Sequence, residues 1–134
     1  MRLSRSEFVR RLVLNSISDD FENVDQVILR DVAEDAAKCG FTVERPEVVE
    51  ALAGLIADGF AKAYILSGDS RDPFSGELPG MPPMGVIEEY FKTYFYITKA
   101  GLDLHNRHRC DGTWPFDDLG DLRQDWRLTA DSTL

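Results

Sequence analysis

Histidine and cysteine are scarce, with two of each in 134 residues. Cys39 and Cys110 lie far apart and form no spaced pair, which fits free thiols in a reducing compartment better than a disulfide framework. No apolar run approaches the roughly 18 residues of a membrane span. Residues Met1 to Glu7 contain no apolar stretch of the signal-peptide kind, so a cytoplasmic protein without a membrane contact is expected. The motifs of chemistry are missing too: no nucleophile elbow, no phosphate-cradling glycine loop and no paired-histidine zinc motif. Both histidines fall in one segment, where an acid–base pair is hard to assemble. Neither catalysis nor a cofactor is expected.

Acid is plentiful. Lys and Arg number 15 against 24 Asp and Glu, for a net charge of -9. The excess is spread along the chain, at -5 over residues 1–60 and -2 over each of 61–105 and 106–134. Such a field repels phosphate backbones. Only the N-terminus is locally basic, with Arg2, Arg5, Arg10 and Arg11. With 43% hydrophobic and 29% charged residues the composition is that of an ordinary globular domain, and the length suits one core without staples.

Periodicity divides the chain into elements. Ser4 and Glu7 have capping-box spacing, Leu3 and Phe8 flank them as a staple, and Phe8, Val9, Leu12, Val13 and Ile17 form an apolar stripe. A first helix over about 5–17 follows from these. Val24, Val27, Ile28, Val32, Ala33 and Ala36 define a second helix, closed by Gly40. A third starts near Glu44, with Pro46 in its first turn, and ends at Asp58–Gly59. Residues 60–66 and 91–97 are rich in aromatic and β-branched side chains and read as strands. Between them lies a long glycine- and proline-punctuated loop, 67–90, expected to pack on the body or on a partner subunit. Thr98 caps a short helix to about His105. From Cys110 on, Trp114, Phe116, Leu119, Leu122 and Trp126 are too apolar for a linker and should fold back.

The order of three helices, two strands with a loop, and a further helix is an α+β arrangement that resembles the winged helix-turn-helix. Local segments sharpen the likeness. Gly40–Phe41–Thr42 sits at the helix–helix turn, and Leu55–Ile56–Ala57–Asp58–Gly59–Phe60 leads straight into a strand. Tyr96–Ile97–Thr98–Lys99–Ala100–Gly101 resembles the strand-to-helix segment of bacterial PadR and MarR regulators. The resemblance spans residues 5–108 and implies a winged-helix domain over 1–109 with wing loop 67–90, followed by a tail, 110–134, on the domain or on a partner. It implies DNA binding through the third helix.

The residues there depart from that implication. Glu44, Arg45, Pro46, Glu47 and Glu50 open the third helix, so carboxylates stand where phosphates would lie and Arg45 is the single cation. The wing offers Arg71 and Lys92 against Asp69, Asp72, Glu77, Glu88 and Glu89. A protein-interaction module in a regulatory role, with self-association as a homodimer, is therefore preferred to a DNA-binding regulator. Tyr94 and Tyr96 share one strand parity, opposite to Phe91, Phe95 and Ile97, and are expected on the outer face. Together with Met81, Met84, Trp114, Phe116 and Trp126 they form the candidate interface. His105, His108 and Cys110, with Asp103 and Asp111 nearby, are possible zinc ligands at a loose spacing. A basic helix end complementing its dipole explains the same residues without a metal, and none is expected.

Overall fold

The computed structural model describes residues 3–66, 72–85, 92–124 and 126. Among these it has four α-helices, α1 Arg5–Ser16, α2 Leu29–Lys38, α3 Arg45–Ala57 and α4 Lys99–Cys110. The strands β1 Ala61–Ile65 and β2 Thr93–Ile97 form one antiparallel sheet. None of the helices is long and apolar enough to cross a membrane.

Helix α1 begins where its cap dictates, with the Ser4 hydroxyl accepting the Glu7 N–H at 3.2 Å. Both staple residues are buried, Leu3 and Phe8 alike. The second helix is preceded by a π-helical turn, Val24–Ile28, in which the Ile28 N–H reaches back to the Asn23 carbonyl at 3.0 Å. The fully buried residues here are Val24, Ile28, Val32 and Ala36, a strict four-residue series. On an α-helix of 3.6 residues per turn such a series drifts by about 40° at each step. The wider π turn takes up part of that drift and keeps all four on the core. Val27 and Ala33, also in the expected stripe, are only half-buried.

Helices α2 and α3 close alike. Gly40 and Gly59 adopt φ of 91° and 82°, and the next amides, Phe41 and Phe60, donate to Ala36 and Leu55 carbonyls at 3.0 and 2.8 Å. Only glycine takes that left-handed turn without strain. Helix α3 opens with the Glu47 carboxylate accepting the Glu44 N–H at 2.9 Å. The core lies between the helices and the inner sheet face, where Ala61, Ala63 and Phe95 belong to one buried cluster with Leu12, Val13, Leu52 and Leu55.

β1 and β2 pair with Ala63 opposite Phe95 and Tyr64 opposite Tyr94. Two single residues extend this sheet. Glu22 exchanges both backbone hydrogen bonds with Phe95, at 3.0 and 2.8 Å, on the far side of β2. Glu77 bridges Tyr64 on the far side of β1, where the Leu78 N–H donates to the Ala63 carbonyl at 2.8 Å. The long loop thus lies against β1 through its 3-10 turn, Pro73–Gly76, and through Glu77 and Leu78.

One helix and both strands differ in their boundaries from the sequence reading. Helix α4 runs on to Cys110 instead of stopping near His105, because Arg107 and Arg109 stand in its last turn and suit the negative end of the dipole. The strands are shorter than 60–66 and 91–97, and Phe91 lies outside the described residues. Beyond α4 the chain turns back. Phe116 bridges Leu122, and Trp126 donates its indole N–H to the Thr113 carbonyl at 2.8 Å.

Candidate functional site

The start of α3 does not present a cation. Arg45 turns inward and donates through Nε and Nη2 to both oxygens of Asp25, at 2.7 and 3.2 Å, and through Nη1 to the Met84 carbonyl at 2.7 Å. The side chains of Arg45 and Asp25 are only 16% and 6% exposed. Arg45 as a surface residue of a recognition helix is therefore corrected: it fastens the start of α3 to the π turn and to the long loop. Sequence spacing could not reveal this, because its partners lie twenty and thirty-nine residues away.

The N-terminal arginines are engaged in the same manner. Arg5 donates to both Glu47 oxygens at 2.6 and 3.1 Å, and its guanidinium lies over the Phe41 ring. That hydrogen bond holds the Glu47 carboxyl below its ordinary range and raises the Arg5 guanidinium. Arg10 meets Asp58 at 2.7 Å. Arg11 donates to the Thr113 hydroxyl and lies 3.6 Å from Asp111. Glu44, which caps α3, and Glu50 on it are exposed. Arg2, Arg71, Asp69, Glu88 and Glu89 lie outside the described residues.

The tail aromatics belong to the chain's own core, which corrects their place in a partner-facing set. Trp114, Phe116 and Trp126 are 6%, 8% and 7% exposed. Trp126 packs on Phe8 with ring centroids 5.2 Å apart, and Trp114 stands edge-on to His105 at 5.6 Å. Met81 and Met84 are half-buried against the same core.

His105 and His108, three residues apart on α4, both have a buried Nδ1 with no hydrogen-bond partner among the described residues. Burial lowers the His105 imidazole, and burial followed by the Arg11 charge pushes His108 down to about 4. Cys110 is exposed at the end of the helix. Among the described residues no group of three His, Cys, Asp or Glu side chains is placed to hold a metal ion. Cys39 is half-buried, and burial raises its thiol to about 12, which leaves it unreactive.

The outer sheet face carries the surface feature that stands out. Because Glu22 pairs with Phe95, its neighbour Phe21 falls beside Tyr96 on the outer parity, and the ring centroids are 4.6 Å apart. Tyr64 joins from β1, edge-on to Phe21 at 5.1 Å. Phe74, from the 3-10 turn of the loop, roofs all three, at 5.2 Å from Phe21, 5.7 Å from Tyr64 and 6.0 Å from Tyr96. Tyr64 is buried by this arrangement, whereas Phe74 is 53% exposed. Tyr94 and Tyr96 are half-buried. The sequence reading singled out the two tyrosines and missed Phe21 and Phe74. A one-residue bridge leaves no alternating pattern, and Phe74 sits amid loop residues.

Acid flanks Phe21 in the chain, although Glu22, opposite Phe95, takes the inner parity of the sheet. Asp19 and Asp20 are exposed beside Phe21. The Glu22 carboxyl is raised by burial first, then by Asp20, Asp19 and Asp31, with Arg30 opposing. Lys62 projects on the same parity as Tyr96 and is paired to Glu77 at 2.6 Å.

Comparison with family models, with curated proteins and with solved structures finds no match for this chain.

Proposed function

We propose that the chain is a non-catalytic interaction module with a winged-helix layout, which acts in a regulatory role by docking a protein partner and does not read DNA. The layout is supported by the order of elements: a helix, the Glu22 bridge, two helices joined through Gly40, and a hairpin whose loop lies on the sheet. One observation carries the choice of partner. Arg5, Arg10, Arg11 and Arg45, the described cations of the N-terminus and of the third helix's start, each face a carboxylate of the same chain. Phosphate binding would have to break those pairs inside a field of net charge -9.

Titration with random duplex DNA at low salt tests the proposal. No saturable binding is expected at micromolar protein. Salt-sensitive binding in that range would overturn it and restore the DNA-binding regulator, which has the layout in its favour. In that event alanine at Arg5, Arg10 and Arg11 should flatten the salt dependence.

A further inference from the structure

A cleft of about 210 Å³ opens where α1, α3 and α4 meet. Leu14 of α1 and Leu55 of α3, both fully buried, and the half-buried Leu104 of α4 give it apolar walls. Polar groups line it beside them. Glu7 and Arg11 stand four residues apart on α1, as do Leu104 and His108 on α4, so each pair shares one helix face. An apolar recess with a few convergent polar groups is the usual form of a small-molecule site.

Two of these polar groups are incompletely satisfied. Arg11, with a side chain 12% exposed, donates through Nη1 to the Thr113 hydroxyl, and the same atom lies 3.6 Å from Asp111. Its Nε and Nη2 have no hydrogen-bond acceptor among the described residues. Burial lowers the Arg11 guanidinium although Asp111 and Glu7 oppose the shift, so its charge is undercompensated. The His108 Nδ1, also in the cleft wall, lacks a partner among the described residues as well. Arg10, by contrast, is held by Asp58 at 2.7 Å. Such a site favours an anion over a cation. The exposed Glu7 carboxylate weighs against a doubly charged phosphate and tolerates a single negative charge. We infer that the cleft takes a small monocarboxylate with an aliphatic body, its head on the spare donors of Arg11 and its body on Leu14, Leu55 and Leu104. The bond from Arg11 to Thr113 stays intact in this arrangement, and a recess of this size does not admit a duplex backbone. The cleft shares no residue with the aromatic sheet face, so its ligand and a docked protein are separate expectations.

The probe is hexanoate, titrated into isotope-labelled full-length protein at neutral pH. Hexanamide serves as the uncharged control and acetate as the head group alone. Saturable chemical-shift changes are expected at Arg11, Leu14, Leu55, Leu104 and His108, with a dissociation constant of about a millimolar or below. Hexanamide and acetate should each bind about ten-fold more weakly or worse. Glu7→Gln removes the opposing carboxylate at an exposed position and should tighten binding about two- to five-fold, a gain that a folding defect cannot produce. Leu104→Phe fills the cleft and should abolish binding at an unchanged melting temperature. Arg11→Met should abolish it too, and the other two variants decide the matter if the loss of Thr113 and Asp111 contacts loosens the tail.

Shifts scattered over the surface, or none that saturate below about 10 mM, would overturn the inference. So would hexanamide or acetate binding as well as hexanoate, since the charge or the apolar body would then count for nothing. Inorganic phosphate that moved the same resonances at lower concentration than hexanoate would also refute it and make the cleft a phosphate site. Glu7→Gln binding no tighter than the parent, or Leu104→Phe binding equally well, would show that the ligand sits elsewhere.

Discussion

Asp25→Ala removes the carboxylate opposite Arg45, and its cost follows from the burial of the pair. Stripping one partner from a buried ion pair costs about 3–5 kcal/mol, because the remaining charge is stranded. Here Arg45 keeps its bond to the Met84 carbonyl and a 16% exposed side chain, so part of that penalty is relieved. A loss of about 2–4 kcal/mol is expected, a large share of the total stability of a domain this size. Arg45→Met should be costly as well, since it leaves Asp25, 6% exposed, without its guanidinium. The double variant Asp25→Ala with Arg45→Met should fall short of the sum of the singles by about 2 kcal/mol. Urea unfolding followed by circular dichroism measures all three. If Asp25→Ala costs less than about 0.5 kcal/mol, the pair behaves like a surface pair. The argument that Arg45 is locked away from ligands then fails.

Other expectations are simpler. Ending the chain at Arg109 removes Trp114, Phe116 and Trp126, each worth about 1.5–3 kcal/mol when buried, so the truncated protein should melt far lower or aggregate; an unchanged melting temperature would show that the tail is no part of the core. Gly101→Ala would set a methyl group against the Phe60 carbonyl and the Ile97 side chain, and a loss of about 1–3 kcal/mol in thermal or urea unfolding is expected. For His108 the folded pKa, about 4, lies below the unfolded 6.5, so the unfolded chain binds the proton first and stability falls with pH between those values. With allowance for partial solvent access the contribution is about 1–2 kcal/mol, and His108→Gln should flatten that part of the stability curve against pH.

The helices were legible because their signals are local. Ser4 with Glu7, Gly40, Pro46, Gly59 and Thr98 mark ends through atoms a few residues away, and each stands at the boundary it announces. The π turn was not legible, since Val24, Val27 and Ile28 satisfy an ordinary helical stripe equally well. Strand parity correctly set Tyr94 and Tyr96 against Phe95, but it could not reach Phe21 or Phe74, whose places depend on bridges made by Glu22 and Glu77. Arg45 shows the limit most clearly. Its position at the start of α3 was apparent, yet its direction was settled by Asp25 and Met84, which no spacing rule connects to it.

The single-residue bridges at Glu22 and Glu77 also govern how other chains can approach. A two-stranded sheet offers two rows of unpaired backbone groups, each a template for strand addition and for edge-to-edge aggregation. Here the Phe95 amide and carbonyl are taken by Glu22, the Ile97 amide by the Ile17 carbonyl, and the Ala63 carbonyl by Leu78. An extended peptide cannot join alongside β1 or β2 at these positions without displacing the chain's own backbone. A chain that approached the sheet at these positions would therefore meet side chains rather than free backbone groups, and its hold there would follow which residues it carries and not merely whether it is extended.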